Sequence, residues 1–255
     1  MFLQEAIESV SIDQSIKPEE IILIKDGLLT LELETIILDL KKRIPFLKVY
    51  GYKQNMGLGY ALNYGLHKCS NELVFRMDTD DISLPMRFEK QLKYLEKNPD
   101  LTIVGSTINE FLHRPNDIIQ IRQVPLTPGD IESTKHMRNP FNHMTVLFKK
   151  SIILKVGGYI DMPGYEDYYL WMRLLQKHKG ANINEPLVHA RIGNNMIQRR
   201  QGIGFLKKEI KFQRRLLQNG LIDYSKFTRN ILVRGFPRII PLFLLKFLYS
   251  KLLRT

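Results

Sequence analysis

The chain of 255 residues contains a single cysteine, Cys69. One thiol excludes an intramolecular disulfide framework, a redox pair and a zinc site built on CxxC motifs. The first ten residues include Glu5 and Glu8 and lack a basic segment, so we expect no secretory signal in them. Apolar residues make up 44% and charged residues 25% of the chain, which excludes extensive disorder. A folded protein from a reducing compartment fits these features.

Long uncharged hydrophobic runs are also missing from the sequence. A transmembrane helix needs about 20 consecutive apolar residues, and the most apolar segment, 231–253, is interrupted by Pro237, Arg238, Pro241 and Lys246. We therefore expect an amphipathic helix at a membrane surface. A helix that packs on the domain core is the alternative.

Acidic residues are scarce at the C-terminal end. The net charge is +12, yet residues 1–195 hold 24 Lys and Arg against 24 Asp and Glu, whereas residues 196–255 hold 14 against 2. The pattern predicts a balanced domain, 1–200, and a basic helical tail, 201–255. Such a tail is attracted to phosphate, either of anionic lipid or of nucleic acid. The alternative is a basic helix that is only solvated.

Apolar strands alternate with segments of helical periodicity over the first hundred residues. Short apolar runs at 21–24, 47–52, 73–77 and 101–106 predict strands. Helical patterns occur at 1–11, 28–44, 57–68, 85–98, 168–178 and 205–219. This alternation predicts an α/β fold with a mostly parallel sheet that is flanked by helices.

Three carboxylates follow the third predicted strand, at Asp78, Asp80 and Asp81. Carboxylates this close repel one another, and a hard divalent cation, Mg²⁺ or Mn²⁺, is the ion that oxygen ligands favour. The position agrees with a binding site, because open α/β sheets bind ligands beyond the carboxyl ends of their strands. The alternative is an acidic turn that caps the next helix through Asp81 or Ser83.

Two further segments carry candidate chemistry. Glu166 and Asp167 open a predicted helix after a glycine-bounded loop, where they act either as a general base or as partners of the helix dipole. The turn at 53–59, with Asn55 and Gly57, leads into a helix and can present backbone N–H groups to phosphate. No GKS or GKT follows, so this turn is not a P-loop.

These segments, in this order, resemble the family 2 glycosyltransferases of the GT-A fold, especially bacterial enzymes of surface-polysaccharide synthesis. The resemblance covers about residues 2–201. It is carried by the segments Phe2–Val10, Ile21–Gly27, Asn55–Gly65, Val74–Asp81, Val156–Tyr159 and Glu166–Trp171. The family also has an apolar strand before the helix that Phe2–Val10 matches, so we expect the domain to lack its first strand.

The resemblance implies a role for each candidate residue. Asp167 is the catalytic base, with Glu166 beside it. Asp78 and Asp80 contact the donor and a divalent metal, Mg²⁺ or Mn²⁺. The other residues expected to bind the nucleotide sugar are Asp26, Lys53, Asn55, Gly57, Asp81, His143, Arg199 and Arg200.

The resemblance also implies the reaction and its partners. The donor is a nucleotide-diphosphate sugar, with a UDP-sugar expected first, and the acceptor is a saccharide carried on polyprenyl diphosphate. The sugar is transferred with inversion in O-antigen, capsule or exopolysaccharide synthesis. Together with the basic tail, the resemblance implies that the enzyme lies on the inner face of the plasma membrane and has no nucleic-acid partner.

Three alternatives remain open at the level of sequence. An inactive glycosyltransferase remnant would keep the architecture without turnover. A haloacid-dehalogenase-like phosphatase also has DxD after a strand, although Ile82 stands where that family has Thr or Val. A nucleic-acid-binding protein would use the basic tail, with Phe205, Phe212 and Tyr224 stacking on bases.

Overall fold

The computed structural model describes residues 2–193 and 201–238. The chain divides into two compact units, Met1–Ile192 and Gly193–Thr255. The candidate site residues that the structure describes, from Asp26 to Asp167, all lie in the first unit.

The first unit alternates strands and helices. Its strands are β1 (Ile21–Asp26), β2 (Leu47–Tyr52), β3 (Leu73–Phe75), β4 (Ile82–Ser83), β5 (Leu101–Phe111), β6 (Ile118–Arg122), β7 (Leu147–Lys149) and β8 (Lys179–Arg191). Its helices are α1 (Phe2–Ser9), α2 (Leu31–Arg43), α3 (Leu58–Lys68), α4 (Arg87–Lys97), α5 (Pro128–Thr134), α6 (Lys150–Lys155) and α7 (Glu166–Leu174).

Local chemistry explains where several elements begin. The Thr30 hydroxyl accepts the N–H of Leu33 and caps α2. Thr127 and Asp130 form a capping box at the start of α5. The turn after β1 needs Gly27, because its φ of +99° lies in the left-handed region that favours glycine.

The sheet is mixed. β1 pairs with β2 in parallel, and a second sheet has the order β3-β7-β5-β8-β4, with β6 paired to β5. Among the described strands of the second sheet, only β5 and β8 pair in parallel, so the expected predominance of parallel pairing is wrong in this detail. The cause is clearest at β5 and β6, where the short connection 112–117 allows a hairpin but no crossover helix.

Two apolar clusters hold the flanking helices against the strands. Trp171 and Leu170 of α7 are fully buried in one cluster with Ile103 of β5. Leu3 of α1 and Leu40 of α2 belong to the other, which covers the β1–β2 sheet. Helices therefore flank the strands, as expected for an α/β fold.

The two sheets are separate between β1 and β3. No strand of the described residues is hydrogen-bonded to both β1 and β3. The facing edges of β1 and β3 therefore remain open in this part of the chain.

The second unit is helical where the structure describes it. α8 (Ile203–Gln218) and α9 (Tyr224–Asn230) are followed by a π-helical turn, Ile231–Gly235, and a short 3₁₀ turn. Glu209 of α8 is fully buried and accepts a hydrogen bond from Arg234 Nε at 2.9 Å. Helical structure is thus confirmed for the first part of the basic tail.

The apolar C-terminal segment of the tail lies outside the described residues from position 239 onward. Among the helices in the part of the chain that the structure describes, none has the length and apolar composition that crossing a membrane requires.

Candidate active site

The loop that follows β3 is organised by an ion pair between Arg76 and Asp78. Both terminal nitrogens of Arg76 donate to the two Asp78 oxygens, with Nη1···Oδ2 at 2.6 Å. The Arg76 side chain is only 6% exposed, whereas that of Asp78 is 32% exposed. Burial opposes the charge of Arg76, but the Asp78 carboxylate raises the pKa of the guanidinium. The site therefore contains a fixed cation beside its carboxylates.

Asp80 and Asp81 complete the acidic loop in different environments. Asp81 is buried, and its Oδ1 accepts the backbone N–H of Arg191 at 2.8 Å. Burial, reinforced by the negative charge of Asp78, raises the pKa of Asp81 to about 7. Asp80 is exposed on the loop, and the same two causes raise its pKa. The loop thus has more negative charge than Arg76 neutralises.

Arg191, at the end of β8, ties this loop to its surroundings. Its Nε donates to the Asp80 carbonyl at 3.2 Å, and its Nη2 donates to Glu5 of α1 at 2.9 Å. Its guanidinium also lies 3.8 Å from the ring centroid of Phe2. The acidic loop is consequently held by contacts from two distant parts of the first unit.

Asp167 lies at the N-terminus of α7, where its Oδ2 accepts a hydrogen bond from Asn139 Nδ2 at 2.6 Å. Burial raises the pKa of Asp167, and the hydrogen bond from Asn139 opposes that rise. A carboxylate with a raised pKa is a stronger proton acceptor than an ordinary aspartate. Neighbouring Glu166 is buried and accepts the N–H of Gly164 at 2.6 Å, so it stabilises the loop.

Arg76 connects the acidic loop with Asp167. Its positive charge lowers the pKa of Asp167 against the larger effect of burial. Burial, with a smaller contribution from Arg76, also holds the pKa of His143 well below its usual value. His143 Nε2 lies 2.9 Å from the hydroxyl of Tyr159. These groups therefore belong to one electrostatic environment, in which His143 is neutral at pH 7.

The predicted nucleotide turn is built around Asp26. Asp26 Oδ1 accepts the N–H of Met56 at 2.7 Å, and Oδ2 accepts the N–H of Gly57 at 3.0 Å. Asn55 Nδ2 donates to the Asp26 carbonyl at 3.1 Å. Lys53 is exposed at the start of this turn. The Asp26 side chain thus has a structural role that the sequence analysis did not predict.

The acidic loop fits a divalent cation that it shares with a bound phosphate. Among residues 2–193 and 201–238, no three His, Cys, Asp or Glu side chains are grouped as a metal site. Asp78 forms an ion pair with Arg76, and the carboxylate of Asp80 is exposed. Mg²⁺ commonly binds through one or two carboxylates and the phosphates of a substrate. The donor set therefore fits an ion that binds together with a diphosphate.

The structure brings part of the predicted set together. Asp78, His143 and Asp167 lie around Arg76, whereas Asp26, Lys53, Asn55 and Gly57 form the separate turn before α3. Arg199 and Arg200 lie outside the described residues. The sequence analysis missed Arg76, Asn139, Tyr159 and Arg191. A basic residue two positions before Asp78 was the available signal for Arg76, while the other contacts form between residues far apart in sequence.

The first unit is therefore an α/β domain with a DxD loop after a sheet strand and a carboxylate at a helix N-terminus beside it. This combination is typical of GT-A-type transferases. The sequence matches the model of glycosyl transferase family 2 over residues 2–159. The chain belongs to this family of glycosyltransferases, and the expectation from the resemblance is confirmed.

Relatives share most of their length with this chain. An uncharacterized glycosyltransferase of Haemophilus influenzae is 43% identical over 99% of this chain and 94% of its own. The UDP-Gal:alpha-D-GlcNAc-diphosphoundecaprenol beta-1,3-galactosyltransferase of Escherichia coli is 39% identical over 100% of this chain and 92% of its own. The amylovoran biosynthesis glycosyltransferase AmsE of Erwinia amylovora is 35% identical over 98% and 92%.

Solved structures confirm the fold. The S. aureus TarS fragment 1–349 in complex with UDP-GlcNAc has a TM-score of 0.70 at 14% identity, covering 94% of this chain and 73% of that one. The mannosyltransferase PcManGT of Pyrobaculum calidifontis, in complex with GDP-Man and Mn²⁺, has a TM-score of 0.60 at 15% identity. That alignment covers 92% of this chain and 65% of the mannosyltransferase.

Proposed function

We propose that the first unit transfers a hexose from a UDP-sugar to a hydroxyl of a saccharide carried on polyprenyl diphosphate. The observation that carries this proposal is the placement of Asp78 and Asp167 around one buried cation, Arg76. The 39% identical Escherichia coli galactosyltransferase, which acts on a diphosphoundecaprenol-linked sugar, supports the choice of donor and acceptor.

The donor occupies the end of the sheet where the DxD loop lies. Asp78 and Asp80 face its ribose and diphosphate, and Asp81 and His143 complete the wall of the site. The turn of Asp26, Lys53, Asn55 and Gly57 contacts the nucleotide. Asp80, together with Asp78, would hold Mg²⁺ or Mn²⁺ with the donor phosphates, and the ion would supply positive charge to the leaving diphosphate.

Asp167 acts as the general base. The acceptor hydroxyl oxygen attacks the anomeric carbon while the bond from that carbon to the diphosphate oxygen breaks. The hydroxyl proton moves to the Asp167 carboxylate, and the nucleoside diphosphate leaves with the bonding electron pair. Asn139 keeps the carboxylate in position through its 2.6 Å hydrogen bond. Because attack occurs opposite the leaving group, the anomeric configuration inverts.

An assay with a radiolabelled donor and a synthetic N-acetylglucosaminyl-diphosphate lipid tests the proposal. The lipid product should gain one hexose from UDP-galactose or another UDP-sugar, in a reaction that depends on Mg²⁺ or Mn²⁺. Asp167→Asn should lower kcat by about 10²–10⁴, whereas Asp161→Asn, an exposed aspartate in the preceding loop, should have no effect. No transfer from any nucleotide sugar would instead identify an inactive remnant.

The second unit is proposed to bind the anionic inner face of the plasma membrane. Lys207, Lys208, Lys211 and Arg214 are exposed along α8. Exposed apolar side chains accompany them, with Leu232 63%, Val233 64% and Phe236 57% exposed. Charge attraction and shallow apolar insertion together favour a lipid surface over nucleic acid.

Sedimentation with vesicles that contain phosphatidylglycerol tests this assignment. Replacing Lys207, Lys208 and Lys211 by glutamate should abolish co-sedimentation at 0.1 M salt. The matched control replaces Lys41 and Lys42 of α2, which are exposed on the first unit. Equal binding by both variants, or stronger binding to single-stranded DNA than to vesicles, would contradict a membrane role.

A further inference from the structure

The glycine-rich turn at residues 157–159, which precedes the candidate base, is held by side chains of two helices. Asn63 of α3 accepts the N–H of Tyr159 through Oδ1 at 2.8 Å and donates to the Tyr159 carbonyl through Nδ2. From the other side, Arg173 of α7 donates to the carbonyl of Gly158. The backbone of this turn therefore connects α3 with α7.

Gly158 leaves the space that the Asn63 side chain occupies. The φ of Gly158 is +56°, in the left-handed region, and a Cβ at this position would lie 2.4 Å from Asn63 Oδ1. Any other residue at position 158 would therefore displace the Asn63 carboxamide as well as strain the backbone. The glycine and the asparagine, which are far apart in the sequence, form one fitted contact.

Tyr159 is fixed at its hydroxyl as well as at its backbone. The residue is buried, and its hydroxyl lies 2.9 Å from His143 Nε2. Burial raises the pKa of Tyr159, the positive charge of Arg76 opposes that rise, and the negative charge of Asp167 adds to it. Tyr159 consequently lies in the same electrostatic environment as the candidate base.

α3 contacts the loop between Tyr159 and Asp167 at a second place. A Cβ at Gly59 would lie 3.7 Å from the Cβ of Glu166 and from the carbonyl oxygen of Ile160. Since Gly59 carries no side chain, the first turn of α3 packs closely against both ends of this loop.

The same helix begins at the turn that is proposed to contact the nucleotide. Its N-cap residue, Gly57, donates its N–H to Asp26 Oδ2 at 3.0 Å. Asn63 lies between one and two helical turns further along α3. One short helix therefore reaches from the donor turn to the loop that ends at the candidate base.

We propose that Asn63 is a positioning residue for sugar transfer, which holds the loop 159–166 so that Asp167 keeps a fixed place relative to the donor turn. The inference rests on the proposed role of Asp167 as the general base. Such a base must lie within hydrogen-bonding distance of the acceptor hydroxyl, and a displacement of about 1 Å can lower the rate by about 10². Because Asn63 is not part of the donor turn, its loss should lower kcat more than it raises the KM for the donor.

Amide hydrogen exchange on the full chain tests the contact without any measurement of activity. In Asn63→Ala the amide of Tyr159 should exchange about tenfold faster or more, and so should the amide of Tyr165, which donates to Met162 O at 2.8 Å within the loop. The amide of Gly157, which is bonded to α6, should change little. Unchanged exchange at Tyr159 and Tyr165 would overturn the inference.

Transfer kinetics test the positioning role, after circular dichroism has shown that the variants fold. Asn63→Ala should lower kcat about tenfold or more and change the KM for the donor less than about threefold. The matched control is Asn98→Ala, which removes another hydrogen bond from a side chain to the backbone, from Asn98 Nδ2 to Tyr94 O at 2.8 Å, at the C-terminal end of α4. Its kcat should stay unchanged. Should Asn63→Ala not fold, Asn63→Asp, which keeps the acceptor for the Tyr159 N–H, takes its place.

A second pair of variants disturbs the same contact from the opposite side. Gly158→Ala places a methyl group against Asn63 Oδ1 and should reproduce the loss of kcat. Gly220→Ala has a similar φ, +66°, but no atom of the described residues beyond its neighbours lies within 4 Å of the new carbon. It therefore retains the backbone strain without the clash, and its kcat should equal that of the unmodified chain.

The failures of the two proposals are distinguishable. If the unmodified chain has no turnover, or if Asp167→Asn transfers sugar normally, the base assignment fails and the positioning role fails with it. If Asp167→Asn is inactive while Asn63→Ala keeps its kcat despite faster exchange in the loop, only the positioning role is overturned. Equal losses of kcat in Asn98→Ala and Gly220→Ala would attribute the effect to a general loss of stability and would also overturn it.

Discussion

Replacing Arg76 by methionine removes the cation at the centre of the candidate site. Arg76 contributes both terminal nitrogens to the Asp78 carboxylate and is almost fully buried. Methionine retains much of the apolar stem but supplies no charge. The variant therefore leaves the Asp78 carboxylate without its ion-pair partner, close to the negative charges of Asp80 and Asp81.

The expected loss of stability follows from the burial of the two partners. Removing one partner of a fully buried ion pair costs about 3–5 kcal/mol, whereas exposed pairs are worth about 0–1 kcal/mol. Since about a third of the Asp78 side chain is exposed, at 32%, water replaces part of the lost interaction. We expect an intermediate cost of about 1–3 kcal/mol, which corresponds to a Tm lower by roughly 3–9 °C.

A double-mutant cycle measures the interaction itself. Thermal unfolding of Arg76→Met, Asp78→Asn and the double variant should give a coupling energy of at least ~1 kcal/mol. Arg43→Met is a matched control, because Arg43 pairs with Glu8 and Asp39 at a surface where its side chain is 40% exposed. Additivity within about 0.5 kcal/mol would refute the role assigned to Arg76.

Three further predictions follow from the same site. Burial raises the pKa of Asp167, and Arg76 opposes that rise. The acidic limb of the pH profile of kcat/KM should therefore lie above the pH expected of an ordinary aspartate, and Arg76→Met should move it higher still. An unchanged limb in the variant would contradict the assignment of the base. Burial raises the pKa of Asp81 to about 7, so the folded state binds the Asp81 proton more tightly than the unfolded state and stability falls as the pH rises towards 7. Asp81→Asn should therefore raise the free energy of unfolding by roughly 1–4 kcal/mol at pH 8 and have little effect at pH 4. A gain of equal size at both pH values in thermal unfolding would count against this reasoning. Asp26→Ala removes the acceptor of the N–H groups of Met56 and Gly57, and should cost about 1–3 kcal/mol, whereas Asp26→Asn should retain part of that stability; a Tm that is the same in both variants would show that these hydrogen bonds are unimportant.

The order and type of the longer elements over the first hundred residues could be predicted from the sequence, whereas β4, β6 and β8 were not predicted. The short apolar runs that became β1 and β2 stop at turn residues, and Asp26-Gly27 is one such turn, with Gly27 at a positive φ. The periodic segment that became α2 ends before Pro45. Such signals are local, because steric and capping preferences act over a few residues.

The pairing of the strands could not be predicted in the same way. Short strands such as β4 and β7 have too few residues to show a period, and their antiparallel partners lie far away in sequence. The roles of polar side chains could not be predicted from the sequence either. Asp26 was predicted to contact the nucleotide, and the structure shows that its carboxylate already accepts two backbone N–H groups of the next turn.

The sequence by itself determined the α/β class, the family, and the carboxylates at positions 78, 80 and 167, because each depends on residue types at short, fixed spacings. The tertiary structure alone decided that Arg76 pairs with Asp78 and lies near Asp167, that Asn139 holds Asp167, and that β5 pairs in parallel with β8. The physical reason is that ion pairs and strand ladders depend on distance in space. That distance is fixed only when apolar burial brings remote segments of the chain together.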